Sequence, residues 1–113
     1  MTRKRKKYSG DRFVKLPYYL LGHPSWESLS SNAKVIFIEL KRRYNGGNNG
    51  QISLSSREAA IVANCSRNTA YKLFYELEYW GFIKCRRVGT FGNRKASEFI
   101  LTCENHNNTP ATN

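Results

Sequence analysis

The stretch from Leu54 to Ile83, LSSREAAIVANCSRNTAYKLFYELEYWGFI, leaves this chain few ways to fold, because its spacing predicts two short helices around a tight turn and then a strand. Ser55 stands three residues before Glu58, so hydroxyl and carboxylate can each satisfy an orphan backbone donor at a helix start. Ala59, Ala60 and Ala63 are small and let a second helix cross closely. Asn64 and Cys65 mark the turn, Ser66 is a good N-cap, and Ala70, Leu73, Phe74 and Leu77 recur at the helical interval. Gly81 ends that helix, as a left-handed residue past a C-terminus does. Between the apolar positions lie Arg67, Asn68, Tyr71, Lys72 and Tyr75, which project from the other side near the helix start. A core does not require that collection.

Composition narrows the partners. The 113 residues fit one domain, and the net charge of +11 favours polyanions: DNA, RNA or an acidic membrane surface. Five of these charges, Arg3, Lys4, Arg5, Lys6 and Lys7, form an N-terminal run; without them residues 8–113 still carry +6, so the folded part is basic by itself. The run can reach an adjacent minor groove as a flexible arm, attract DNA nonspecifically, which is the favoured reading, or serve only as a soluble tail. Its similarity to a nuclear-localisation patch is a weak signal. No stretch approaches the ~18 apolar residues of a membrane span, and nothing reads as a signal peptide. The expectation is a soluble, cytoplasmic, nucleoid-associated protein. Cys65, Cys85 and Cys103 form an odd set with no close pair, so reduced thiols are expected rather than a disulfide framework or a zinc site.

Along the chain, residues 1–12 are charged and poor in apolar groups and read as a disordered basic arm; residues 13–103 read as the domain, and 104–113 as a disordered polar tail. From Phe13 to Leu29 the chain is apolar and aromatic, punctuated by Pro17 and Pro24, and one or two helical turns should lay Phe13, Leu16, Leu20, Leu21 and Trp26 on the core. Ser30 or Ser31 can cap the next helix, whose apolar face carries Ala33, Ile36, Phe37, Leu40 and Tyr44. Val35 and Ile38 widen that stripe, which implies burial on two sides, against the preceding segment or against another subunit. Asn45 to Gly50 should be a flexible loop, and Gln51 to Leu54 alternates like a short strand. Beyond Gly81, residues 82–88 and 96–102 read as two strands joined by a basic tip.

Helix, short strand, helix, turn, helix and hairpin is the order of winged helix-turn-helix domains, and the chain resembles that family from about Ser31 to Thr102. The most specific stretch is Cys65-Ser66-Arg67-Asn68-Thr69-Ala70-Tyr71-Lys72, with Leu77-Glu78 and Gly81-Phe82-Ile83, similar to the recognition helix and following strand of bacterial and phage regulators. Phe13-Val14-Lys15-Leu16-Pro17, Arg42-Arg43-Tyr44-Asn45-Gly46 and Ser55-Ser56-Arg57-Glu58-Ala59 also resemble the N-terminal winged-helix domains of plasmid and phage replication initiators. The resemblance implies an α+β fold: a three-helix core, a small antiparallel sheet and one hairpin wing. It also implies sequence-specific binding of double-stranded DNA, with the helix of residues 66–80 in a major groove and the wing of residues 84–95 on the backbone. Transcriptional regulation is the leading use, and origin binding by a replication or maintenance protein is the alternative. A homodimer would favour an inverted-repeat target. A third reading, of another class, is a winged helix used for protein or RNA contacts through the apolar stripe of the helix from Ser31.

Arg67, Asn68, Tyr71, Lys72 and Tyr75 are the candidates for base and groove contacts, since arginine can pair bidentately with guanine and asparagine with adenine. An ordinary solvated face is the plain alternative. Ser66 and Thr69 can donate to phosphates as well as cap. In the hairpin Lys84, Arg86, Arg87, Arg94 and Lys95 have no acidic residue among them and can follow a phosphate backbone or enter a minor groove, although charged tips also serve solubility. Phe74, Tyr79, Trp80, Phe82 and Phe99 invite a stacking role on unpaired bases, but core is the simpler assignment for most of them, with Phe91 at the wing tip as the exception. His23 and His106 lie far apart, and no nucleophile elbow, phosphate loop, carboxylate pair or metal-ligand spacing occurs, so neither enzyme chemistry nor a cofactor is expected.

Overall fold

A computed structural model of the chain describes residues 12–87 and 96–103. The basic arm up to residue 11, Arg94 and Lys95 at the hairpin tip, Phe91 and the polar tail from residue 104 lie outside the described residues. The elements in order are α1 (Tyr18–Leu21), α2 (Pro24–Ser28), α3 (Ser31–Arg43), β1 (Ile52–Leu54), α4 (Ser56–Ala63), α5 (Arg67–Tyr79), β2 (Ile83–Arg87) and β3 (Ser97–Leu101). This is the α+β winged helix-turn-helix arrangement: α3, α4 and α5 form the helical core, and an antiparallel sheet of order β1-β3-β2 closes it, with β2 and β3 as the wing.

Local chemistry sets the boundaries. The Ser55 hydroxyl accepts from the Glu58 amide at 3.0 Å while the Glu58 carboxylate accepts from the Ser55 amide at 3.1 Å, completing a reciprocal cap on α4. The Ser55 amide, more than the nearby Arg43, holds the Glu58 carboxyl below the usual carboxylate range. Asn64 turns the chain with φ 56° and ψ 53°, a left-handed conformation that asparagine tolerates better than most residues. The Ser66 hydroxyl then starts α5 by accepting from the Thr69 amide at 3.1 Å.

At the other end of α5, Gly81 has φ 84°, and a Cβ placed there would meet nothing within 4 Å. The requirement for glycine is therefore one of backbone conformation alone. Gly81→Ala should cost about 1–2 kcal/mol, the penalty of an L-residue in left-handed backbone, and Gly81→Asn less. Urea denaturation of the two variants measures the difference.

The core is continuous. Ala33, Ile36, Phe37 and Leu40 of α3, Ala59, Ala60 and Ala63 of α4, and Ala70, Leu73, Phe74 and Leu77 of α5 meet Ile52, Leu54, Ile83, Phe99 and Leu101 of the sheet. Phe37 sits edge-on to Trp26 and to Phe82, both at 5.5 Å between ring centroids, so α2, α3 and the entry to β2 share one aromatic cluster. Polar ties fix the helices against each other. The Glu76 carboxylate of α5 accepts from the Ser30 amide at 2.7 Å and from its hydroxyl at 2.9 Å, anchoring the start of α3. Arg43 joins α3 to the neighbouring elements, donating to Glu39 at 2.8 Å and to the Ser53 carbonyl at 2.9 Å, with Glu58 at 3.5 Å.

Four expectations need correction. Phe13 and Leu21 are exposed, and only Leu16, Leu20 and Trp26 of the N-terminal set pack inward. Two prolines interrupt that segment and no regular period assigns its faces, so hydrophobicity alone misplaced them. Of the two coverings expected for Val35 and Ile38, the preceding segment does not supply one: both border solvent along α3 among the described residues, which overturns that half of the expectation alone. The Asn45–Gly50 loop is organised by its own amides: Asn48 donates to the Arg43 carbonyl at 3.1 Å, and the fully buried Asn49 side chain donates to the Leu101 carbonyl at 2.9 Å and accepts from its amide at 2.7 Å. Asn49 thereby pairs with the end of β3 as a strand neighbour would. Lastly, Tyr79 and Trp80 are exposed and stack edge-on at 5.1 Å, whereas Phe74 and Phe99 are core.

Candidate nucleic-acid interface

The outer side of α5 carries the candidate residues because its inner side is committed to Ala70, Leu73, Phe74 and Leu77. Arg67, Asn68, Tyr71, Lys72 and Tyr75 are all exposed, and Thr69 is half-buried. From Arg67 to Tyr75 the surface runs about 12 Å along the helix axis at ~1.5 Å per residue, a length comparable with the ~12 Å width of a major groove. Ser66 is engaged locally: besides its cap, its hydroxyl donates to the Thr69 hydroxyl oxygen at 3.0 Å.

The electrostatics of α5 oppose what helix stability alone would select. A helix N-terminus carries partial positive charge and favours carboxylates, as Glu58 in the first turn of α4 illustrates. The first turn of α5 has no acidic residue and holds Arg67 instead, and its last turn has no basic residue. Its carboxylates, Glu76 and Glu78, lie toward the C-terminal end, where Glu76 holds Ser30 and Glu78 accepts from the Cys85 amide at 3.3 Å. The helix dipole and Arg67 thus add at the N-terminal end, and Lys72 in the second turn extends the anion-attracting surface along the first half of α5.

The wing divides into two parts. Lys84 is exposed on β2. Arg86 and Arg87, by contrast, are tied into the sheet: Arg86 donates to the Gly50 carbonyl at 3.1 Å, and Arg87 pairs with Glu98 across the hairpin at 2.8 Å. The pairing register shifts between Cys85 and Arg87, which places Arg86 in the irregularity. Sequence reading missed Glu98 as a partner, since it lies beyond the tip. It also passed over Arg57, exposed in the first turn of α4, which carries a further positive charge on the helix-turn-helix.

Two further titratable groups, His23 and Cys85, have local settings. The His23 ring accepts from the Ser25 amide at 3.1 Å and caps α2. Burial pushes the Cys85 thiol up, with Glu78 adding to the shift, so Cys85 stays a protonated, poorly nucleophilic thiol at neutral pH. Among the described residues, no helix is long and apolar enough to cross a membrane.

No protein-family model matches the sequence, and no curated protein matches it. Similarity is found among solved structures. One, of an MDR initiator, is 21% identical and aligns over 91% of this chain and 81% of its own with a TM-score of 0.55. Another, the N-terminal domain of a DNA-binding protein, is 18% identical and aligns over 96% of this chain and 88% of its own with a TM-score of 0.56. At these identities the likeness is one of fold, and it runs along nearly the whole chain.

Proposed function

We propose that the chain is a sequence-specific double-stranded DNA-binding domain that acts by binding, without catalysis. The observation that carries the reading is the charge order of α5, where Arg67 stands at the positive end of the helix dipole and Lys72 follows in the second turn, flanking Asn68 and Tyr71, with both carboxylates left to the C-terminal half. In this reading α5 enters a major groove with Arg67 and Asn68 on base edges, while Lys72, Lys84 and the dipole hold phosphates. Ser66 serves mainly as the cap, and Arg86 and Arg87 contribute field more than direct contact, because each already has a protein partner.

Within that class, the fold likeness to an MDR initiator favours attachment at a replication origin over control of transcription. Both uses require the same docking, and genomic binding sites clustered at an origin rather than a promoter separate them. The test of duplex binding is its salt dependence. Each phosphate contact removed should lower the salt slope of the binding constant by about 1. Lys84→Ala should therefore weaken binding to all duplexes alike and flatten the slope by that amount, and Arg94→Ala or Lys95→Ala should act the same way. A slope unchanged by all three substitutions would take the wing off the DNA.

A further inference from the structure

The first described residues, Arg12 to Tyr19, present large side chains that the fold does not use. Phe13 is 82% exposed, Tyr18 92% and Tyr19 77%, while Leu16 and Leu20 pack against the core. Burying one such ring stabilises a fold by ~1.5–3 kcal/mol, and three of them left exposed among the described residues within one short segment form the kind of apolar cluster that marks a binding surface. The segment is anchored. The Pro17 carbonyl accepts from the Leu20 amide at 3.0 Å, and the inward side chains of Leu16 and Leu20 hold the turn that displays Tyr18 and Tyr19.

Charge selects the partner. Between Asp11 and Glu27 the chain has no acidic residue, Arg12 and Lys15 are exposed, and the basic run Arg3 to Lys7 lies before Asp11 in sequence, so the stretch is net positive. A second copy docked here would bring these like charges together. A bilayer would be met by an amphipathic helix with a continuous apolar face, whereas α1 has only 4 residues. Rings interspersed with cations match a nucleic-acid strand whose bases are unpaired, since such a strand offers phosphates to the cations and open base faces to the rings. In a duplex those faces are covered by neighbouring base pairs. The geometry points to a single-strand-binding surface on residues 12–19, with Phe13, Tyr18 and Tyr19 stacking on bases and Arg12 and Lys15 on phosphates. It shares no residue with the duplex-binding face of α5, so the two can be tested by separate substitutions.

Fluorescence anisotropy of a labelled oligothymidylate with the full chain tests it, alongside a labelled duplex. A base-stacking ring contributes ~1–3 kcal/mol, so each of Phe13→Ala, Tyr18→Ala and Tyr19→Ala should weaken oligothymidylate binding by roughly 5- to 150-fold. Duplex affinity should stay unchanged, as should the circular dichroism spectrum, because all three side chains lie outside the core. Tyr18→Phe and Tyr19→Phe should keep full affinity, since the ring face makes the contact. Arg67→Ala should leave oligothymidylate binding intact. The proposal is overturned if the triple alanine variant binds oligothymidylate like the parent. It is also overturned if that variant loses only co-sedimentation with phosphatidylserine vesicles, or only self-association in sedimentation velocity.

Discussion

Replacing Phe37 with alanine should remove about 3–5 kcal/mol of stability, the usual loss for a fully buried phenylalanine. That is a large share of the ~5–15 kcal/mol that a domain of this size has in total. Phe37 is inaccessible to solvent and contacts both Trp26 and Phe82, so its removal opens a cavity where α2, α3 and the start of the wing converge. Little can collapse into that space, because the Glu76–Ser30 clamp fixes α3 against α5. Urea denaturation should show a much lower midpoint with an unchanged slope. Ile38→Ala lies on the solvent-bordering side of the same helix and should cost far less; equal losses from the two would mean that the core has been misplaced.

The second large effect concerns recognition. Arg67→Ala and Asn68→Ala should each lose about 1–3 kcal/mol of discrimination between the preferred duplex and a variant at the contacted base pair. Binding to unrelated duplexes should change much less. Lys84→Ala provides the contrast, weakening every sequence alike because a phosphate contact carries no sequence information. Competition titrations with matched and mismatched duplexes at fixed salt separate the two behaviours. Equal losses on all sequences for Arg67→Ala, Asn68→Ala and Lys84→Ala would remove the base-reading role from α5.

The parts of this fold that sequence made legible are those governed by neighbours within four or five residues. Ser55 with Glu58, Ser66 with Thr69 and Gly81 at the end of α5 are local devices, and each stands where its residue type predicts. The buried side of α5 follows equally from its spacing, and this fixes by exclusion which of its residues face outward. What the sequence concealed depends on partners far along the chain. Asn49 is buried because the end of β3, 52 residues away, needs a hydrogen-bonding neighbour. Arg87 is paired because the hairpin folds Glu98 back onto it. Hydrophobicity alone assigns Phe13, Leu21, Tyr79 and Trp80 to the inside, yet the described residues leave all four exposed, Phe13 and Tyr79 most of all. For the candidate interface, sequence identified the exposed row on α5, but the division of the wing into an open Lys84 and two tethered arginines required the register of the sheet.

The central claim is that α5 reads base sequence in duplex DNA, and its most direct test is selection of bound duplexes by the full chain from a random pool at near-physiological salt. Enrichment of a short common motif is predicted, single for a monomer or inverted with half-sites about one helical turn apart for a dimer. That enrichment should be lost at the contacted positions when Arg67 and Asn68 are both alanine. Retention of duplexes without any shared motif, or a motif indifferent to the two substitutions, would contradict it.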